Sequence, residues 1–194
     1  MKSNKTTKRN KGFTLVETLV SIALFGMISL ILVDILTASI KVQSRIIYSQ
    51  ELLEQSSYVL EYMGSKLRMA RTSEGGDCLS ENTTYNSTRG GSGLMFVSHD
   101  PATDTYLCRE FYLDTDGLIK ERVSSNESGN FGSSSIIASP SFKIDNLKYE
   151  IYNDEPSKQP RVTLILKMHK EEHGGETSKI TVQTTVSRRD FAPE

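Results

Sequence analysis

Residues 8–36 read KRNKGFTLVETLVSIALFGMISLILVDIL, and this stretch decides how the rest of the chain is organised. A basic run ends at Gly12, and the apolar segment that follows carries a single charge, Glu17, before Asp34. An acidic side chain near the centre of a membrane helix costs about 2.5–3.5 kcal/mol. The Glu17 carboxylate therefore indicates a function, and that function needs a partner of opposite charge.

Residues 13–36 are long enough to cross a membrane. As an α-helix this segment extends about 36 Å, at about 1.5 Å per residue, against a hydrocarbon core of about 30 Å. An ordinary signal anchor with a stray glutamate is the alternative. A cleavable secretory signal would be cut after the apolar run at small residues, and residues 33–36 (VDIL) offer no such site.

The run Gly12-Phe13-Thr14-Leu15-Val16-Glu17, after a basic leader and before an apolar helix, resembles the class III signal of type IV prepilins and type II secretion pseudopilins. The resemblance implies that a prepilin peptidase cuts between Gly12 and Phe13 and methylates the new N-terminal amine of Phe13. It also implies that Glu17, the fifth residue of the mature chain, pairs with the N-terminal amine of a neighbouring subunit.

Charge is unevenly distributed along the chain. Residues 1–12 hold five basic residues and no acidic one, and the remainder carries 18 basic against 24 acidic residues, a net charge of −6. By the positive-inside rule, we expect the leader to stay in the cytoplasm and the rest to be exported. A net acidic domain argues against binding to a phosphate backbone, so no nucleic-acid partner is expected.

Cys78 and Cys108 are the two cysteines of the chain. In an exported domain such a pair predicts a disulfide. The bond would close a loop of about 30 residues and stabilise the fold by roughly 3–4 kcal/mol. Two unpaired thiols are the alternative.

We expect one long N-terminal helix over residues 13–71, because no proline interrupts this range. Residues 13–36 form its transmembrane part, and beyond Thr37 the pattern becomes amphipathic. The apolar residues of this second part recur at helical spacing, at Ile46, Leu53, Leu60, Met63 and Leu67. This part is predicted to lie across a sheet and to fill its core.

Residues 72–92 are rich in Ser, Thr, Asn and Gly and predict a loop. Residues 93–194 form the globular domain, whose strands are indicated by short apolar or alternating runs. The expected strands are 93–98, 106–113, 118–123, 147–152, 162–168 and 180–186, with a loop over 124–141 and a hairpin from the last two strands. A long helix followed by an antiparallel sheet is an α+β arrangement, and it resembles the layout of pilins.

Residues 184–189 (TTVSRR) are similar to the C-terminal end of J-type minor pseudopilins and of the matching W-type minor pilins. The strand start at residues 160–162 (PRV) points the same way. The resemblance implies a minor subunit, which primes assembly and lies at the filament tip, and not the major one. Because Glu17 is retained, the K-like subunit, which usually lacks this glutamate, is not expected.

Asp114, Asp116 and Gly117 resemble part of a calcium loop. An EF-hand-like loop needs a glutamate at its twelfth position, which is Ser125 here. A plain turn with the Asp-Gly hairpin signal is expected, with calcium as the alternative and no other cofactor. His169 and His173 stand four apart but flank a Gly-Gly turn, so we expect solvated loop histidines and no metal site.

No phosphate-binding loop, nucleophile elbow or catalytic constellation stands out, so no catalytic residue is assigned and an enzyme is not expected. The expected partners are the membrane, the prepilin peptidase, other minor and major pilins or pseudopilins, and the inner-membrane assembly platform. The chain is expected to span the cytoplasmic membrane once, with an exported domain, and then to enter an extracytoplasmic filament. A filament-displayed adhesin, a DNA-uptake module and a membrane-anchored enzyme are the alternatives from other classes.

Overall fold

The computed structural model describes residues 12–127, 129–152, 159–171 and 177–189. In these ranges the chain forms one α-helix, α1 (Leu15–Arg68), a short 3-10 helix (Arg89–Gly91) and nine strands. The strands are β1 (Ala70–Arg71), β2 (Tyr85–Thr88), β3 (Gly93–Asp100), β4 (Thr105–Leu113), β5 (Ile119–Ser124), β6 (Phe131–Ile136), β7 (Lys143–Tyr152), β8 (Arg161–Glu171) and β9 (Thr177–Ser187). The chain divides after Ser44 into an N-terminal unit and a C-terminal unit that begins at Arg45.

The part of α1 in the C-terminal unit packs one face against the sheets. Its buried stripe follows helical spacing through Leu52, Ser56, Val59, Met63 and Leu67. Ser56 can be buried within this stripe because its hydroxyl donates to a carbonyl oxygen of the preceding helical turn at 2.9 Å. Gly64 lies on the same face, and a Cβ there would be 3.5 Å from Val186 of β9.

The predicted apolar face was wrong in its first half. Leu53 and Ile46 are about half exposed, and Leu52 is buried in place of Leu53. Two adjacent leucines satisfy a helical period almost equally well. The buried face includes Ser56, which sequence patterning places among polar residues.

Helix α1 ends at Arg68, earlier than the predicted residue 71, because the next residues pair with a strand. Ala70 and Arg71 form β1 opposite Ser98 and Val97 of β3. The carbonyl groups that the last helical turn leaves unsatisfied find other donors. The Tyr85 hydroxyl donates to the Leu67 carbonyl at 2.9 Å, and the backbone N–H of Arg189 donates to the Arg68 carbonyl at 2.9 Å.

Six antiparallel strands form the first sheet. Its order is β1-β3-β4-β5-β6, and β2 pairs with β3 beside β1, because the two short strands share one edge of β3. The residues of β2 lie in the segment that was predicted as a loop. Likewise, β6 lies in the predicted 124–141 loop. The Gly- and Ser-rich sequence of β6 has no apolar alternation that could have indicated a strand, since it lies largely exposed.

Three antiparallel strands form the second sheet, in the order β7-β8-β9. The hairpin of β8 and β9 agrees with the sequence, and both strands are longer than expected. The central strand β8 turns four alternating residues, Val162, Leu164, Leu166 and Met168, into the core. The buried stripe of α1 and the inner residues of both sheets form one hydrophobic cluster. This arrangement confirms the α+β prediction of a long N-terminal helix packed on antiparallel sheets.

Candidate functional site

The candidate site begins just before helix α1. Residues 12–14 lie outside the helix, which starts at Leu15. The Thr14 hydroxyl oxygen accepts a hydrogen bond from the backbone N–H of Glu17 at 3.3 Å, and the Thr14 carbonyl accepts one from the N–H of Thr18 at 3.2 Å. Thr14 is therefore the N-cap of α1, where a threonine satisfies an amide that has no partner within the helix.

Glu17 stands in the first turn of α1, where a negative charge is favourable at the positive end of the helix dipole. Its backbone makes the bond to Thr14, so the side chain is not needed for the cap. The side chain is exposed, and within the described ranges no basic group forms an ion pair with it. The carboxylate can therefore accept a cation from another molecule.

The apolar run from Phe13 to Leu36 exposes its side chains all round the helix. Phe13 and Leu15 are each 75% exposed, and no residue of the most apolar window is buried. α1 is the one helix in the described ranges that is long and apolar enough to cross a membrane. A contiguous apolar surface of this size needs lipid or the helices of other molecules to cover it.

The hydroxyl groups of this run bond to their own helix. Thr18, Ser21 and Ser29 each donate to a carbonyl three or four residues earlier, at 2.7 to 2.8 Å. Polar groups in lipid must be satisfied internally, and these are. The Glu17 carboxylate is thus the one charged group between Phe13 and Val33, and it needs a cation from outside its own helix.

The bond between Gly12 and Phe13 lies in an exposed, non-helical segment. A Cβ added at Gly12 would have no atom within 4 Å. Accessible backbone outside regular structure is what a protease requires. The fold itself places no demand for glycine at this position.

Cys78 and Cys108 are joined by a disulfide, with their Cα atoms 5.9 Å apart. The bond ties the segment after α1 to β4. Both cysteines are buried, and they form a small apolar cluster with Leu79 and Val97, separate from the main core. The disulfide therefore fixes a polar segment that contributes few apolar side chains of its own.

The Asp114–Gly117 turn holds a lysine. The ammonium group of Lys120 lies 2.5 Å from a carboxylate oxygen of Asp114 and 2.7 Å from one of Asp116. These hydrogen bonds lower the pKa of both carboxyl groups and raise the pKa of Lys120. Among the described residues, no three His, Cys, Asp or Glu side chains cluster closely enough to hold a metal ion.

His169 lies in strand β8 and not in the predicted turn. Its Nδ1 is 2.7 Å from a carboxylate oxygen of Asp145, a bulged residue of β7. The strand continues to Glu171 because the hairpin pairing with β9 extends that far. His173 lies outside the described residues.

A buried charged network connects α1 to the first sheet, and it was not predicted from the sequence. Arg109 of β4 donates to Glu121 of β5 at 2.9 Å and to the Ser98 hydroxyl at 2.9 Å, and the Tyr62 hydroxyl of α1 donates to Glu121 at 2.6 Å. Burial and the bond to Glu121 raise the pKa of Tyr62 well above its usual value. The sequence feature that could have indicated this network is the Arg-Glu pair within the otherwise apolar strand 107–113.

Residues 7–33 match the family described as the prokaryotic N-terminal methylation motif. No curated protein and no solved structure gives a significant match to the chain. The matched segment contains Gly12, Phe13 and Glu17 and ends within the apolar run. Together with the exposed apolar helix and the α+β fold, this motif supports the type IV pilin and pseudopilin superfamily, whose members are structural subunits processed by a prepilin peptidase.

Proposed function

We propose that the chain is a minor pilin or pseudopilin that is cut between Gly12 and Phe13, methylated on the new amine, and incorporated into a filament through Glu17. One observation carries the proposal: the methylation motif at residues 7–33 directly precedes an apolar helix that is exposed on all sides. The motif supplies the processing signal, and the helix supplies a surface that a membrane and then a filament can cover.

Processing takes place at the cytoplasmic face of the membrane. The five basic residues of the leader hold it on that side, so a membrane protease reaches the Gly12–Phe13 bond from there. Cleavage removes the leader and leaves a positive amine on Phe13, two residues before the start of α1. This amine stands at the positive end of its own helix dipole, which is unfavourable for a cation.

Assembly relieves two unfavourable charges at once. In apolar surroundings the Glu17 carboxylate costs about 2.5–3.5 kcal/mol if it stays unpaired, and an amine is similarly costly. When the Phe13 amine of one subunit meets the carboxylate of a neighbour, each neutralises the other. Because an unpaired buried charge is strongly unfavourable, the pair also selects the register in which subunits dock.

The minor-subunit assignment rests on the C-terminal unit. Residues 184–189, which are similar to the end of J-type and W-type subunits, form the last part of β9 and the two residues that follow it. Retention of Glu17 separates the chain from the K-like subunit. We propose that it belongs to the small complex that primes filament assembly and lies at the tip.

Deletion of the gene in the native host tests this assignment. We expect few filaments despite normal levels of the major subunit, and restoration by the wild-type gene. An epitope-tagged copy should label one end of each filament in immunoelectron microscopy. Label along the whole filament would indicate a major subunit instead. Normal filament numbers in the deletion strain, together with no label on any filament, would show that the protein is not a filament subunit.

A further inference from the structure

An open cleft of about 450 Å³ lies in the C-terminal unit, where the end of α1 meets β1, β3 and β4. Its described lining includes three arginines, one histidine, one tyrosine and one methionine, and none of its described residues is acidic. These are Arg68, Arg71, Arg189, His99, Tyr106 and Met69. We call it the arginine cleft. None of its residues belongs to the N-terminal motif.

Two of the arginines, Arg68 and Arg189, are exposed. Arg68 and Arg189 both line the cleft, and their backbones are joined by the hydrogen bond from the Arg189 N–H to the Arg68 carbonyl. Neither guanidinium group forms an ion pair with an acidic side chain of the described ranges. Two positive charges that line one cleft favour the binding of an anion there.

The third arginine is fixed in place. The guanidinium carbon of Arg71 lies 3.8 Å from the centre of the Tyr106 ring, and one of its nitrogens lies 2.7 Å from a Glu127 carboxylate oxygen. Its Nε is buried and has no acceptor among the described residues. Arg71 is thus largely neutralised by Glu127, but it fixes the aromatic floor of the cleft.

The histidine of the cleft also lies beside an acidic side chain. His99 lies 3.0 Å from the exposed carboxylate of Asp104, and its ring contacts the Tyr106 ring edge-on. Among the residues that the structure describes, Arg68 and Arg189 are thus the two cations of the cleft without an acidic partner. The half-buried Tyr106 and the 40% exposed Met69 supply apolar surface beside them.

We propose that the arginine cleft binds a short acidic peptide segment of a partner protein, with carboxylates on Arg68 and Arg189 and an apolar side chain against Tyr106. The planar guanidinium fork matches a carboxylate in two parallel hydrogen bonds. The cleft has the size of a typical pocket for a few side chains. A long polyanion such as nucleic acid fits less well, because the chain beyond the leader has a net charge of −6.

Fluorescence anisotropy of a labelled peptide tests the proposal, with the full-length chain in neutral detergent micelles. The probe is the capped peptide Ala-Glu-Leu-Glu-Ala, and its Gln-for-Glu counterpart is the control peptide. The variant is R68Q/R189Q, and the matched control is K167Q/K179Q, which removes the same charge from exposed positions on β8 and β9. Circular dichroism verifies that both variants are folded.

We expect the acidic peptide to bind the wild type and K167Q/K179Q equally, and R68Q/R189Q about tenfold more weakly, from the loss of two charge-assisted contacts. The Gln peptide should also bind at least about tenfold more weakly. Equal weakening in both variants would show only a general effect of charge and overturn the site. Displacement by equal concentrations of inorganic phosphate or of an oligothymidine would overturn the peptide assignment.

One further variant separates this proposal from the proposed function. Glu17→Ala alters the N-terminal motif and none of the residues of the cleft. We expect its peptide affinity to be unchanged whether or not it still assembles into filaments. Loss of peptide binding in this variant would contradict a site confined to the arginine cleft.

Discussion

The Tyr62 hydroxyl on helix α1 donates a hydrogen bond of 2.6 Å to the Glu121 carboxylate on β5. The other oxygen of that carboxylate accepts a bond from Arg109 at 2.9 Å, and Glu121 is only 4% exposed. The helix is therefore tied to the sheet through a buried charge. In such a network each lost hydrogen bond leaves a buried polar atom unsatisfied in a region of low dielectric.

Tyr62→Phe should lower the free energy of unfolding by about 1–3 kcal/mol, because it leaves one Glu121 oxygen without its donor. Tyr58→Phe is the matched control, since Tyr58 is 54% exposed on the same helix. Its effect should stay within about 0.5 kcal/mol. Urea denaturation of both variants measures the difference, and equal midpoints would show that the Tyr62 bond contributes nothing.

Stability should fall at alkaline pH. Burial raises the pKa of Tyr62, Tyr85 and Tyr149, and for Tyr62 the bond to Glu121 adds to this effect. Above the usual tyrosine pKa of about 10, the unfolded chain releases protons that the folded chain retains, so unfolding becomes more favourable. Below that pH the contribution of the three phenols is fully present.

Urea denaturation between about pH 9 and about pH 11 measures this dependence. We expect the free energy of unfolding to decline over this range, and to decline less steeply in Tyr62→Phe, which has one such phenol fewer. A flat profile in the wild type, or identical slopes in the two proteins, would contradict the assignment.

The Cys78–Cys108 disulfide should contribute substantially to stability. It closes a loop across a sequence separation of 30 residues, and the chain-entropy model assigns roughly 3–4 kcal/mol to such a loop. The double variant C78A/C108A should lose about this amount. Reductant should bring the wild type to the same level and leave the variant unchanged. If reductant exposes two titratable thiols without destabilising the wild type, the disulfide is not a stabilising element.

The N-terminal motif could be recognised in the sequence because its parts are local, while the cleavage, methylation and pairing that it implies stay predictions. The spacing from Gly12 to Glu17 and the apolar run follow from residues within two helical turns of each other or from composition alone, whereas the cap at Thr14 was not predicted. The strongly patterned strands β8 and β9 were predicted for the same reason, since alternation over a whole strand needs no knowledge of the partner.

The remainder depends on contacts between distant residues. The division into two sheets and the exposed strand β6 have no signal in the local pattern. The network of Tyr62, Arg109 and Glu121 joins three separate elements. The arginine cleft forms because the end of α1 meets Arg189, the second residue after β9. In these cases the sequence shows the types of the residues, but it does not show that the residues lie close together in the fold.

Glu17→Ala should separate processing from assembly. The cap bond at Thr14 comes from the Glu17 backbone, so the variant keeps the start of the helix and loses only the charge. We expect normal cleavage and incorporation into filaments reduced about tenfold or more, because an unpaired amine in apolar surroundings costs more than about 1.4 kcal/mol. Asp34→Asn, which removes the acid at the other end of the apolar run, is the control. Filament incorporation at the wild-type level in Glu17→Ala, measured by immunoblotting of sheared filaments, would refute the pairing role.

We expect the chain to be cut between Gly12 and Phe13 and to be methylated on the new amine. Gly12→Val should block the cut without disturbing the fold, because a Cβ at this position would meet no atom within 4 Å. Gly26→Ala is the control, since Gly26 has equally open surroundings but lies beyond the cleavage site.

Mass spectrometry of the protein purified from membranes that contain a prepilin peptidase is the most direct test. For the wild type and Gly26→Ala we predict a chain that begins at Phe13 and carries one methyl group on its amine. For Gly12→Val we predict the full-length, unmethylated precursor. A wild-type chain that retains residues 1–12, or a Gly12→Val chain that is processed normally, would contradict the account.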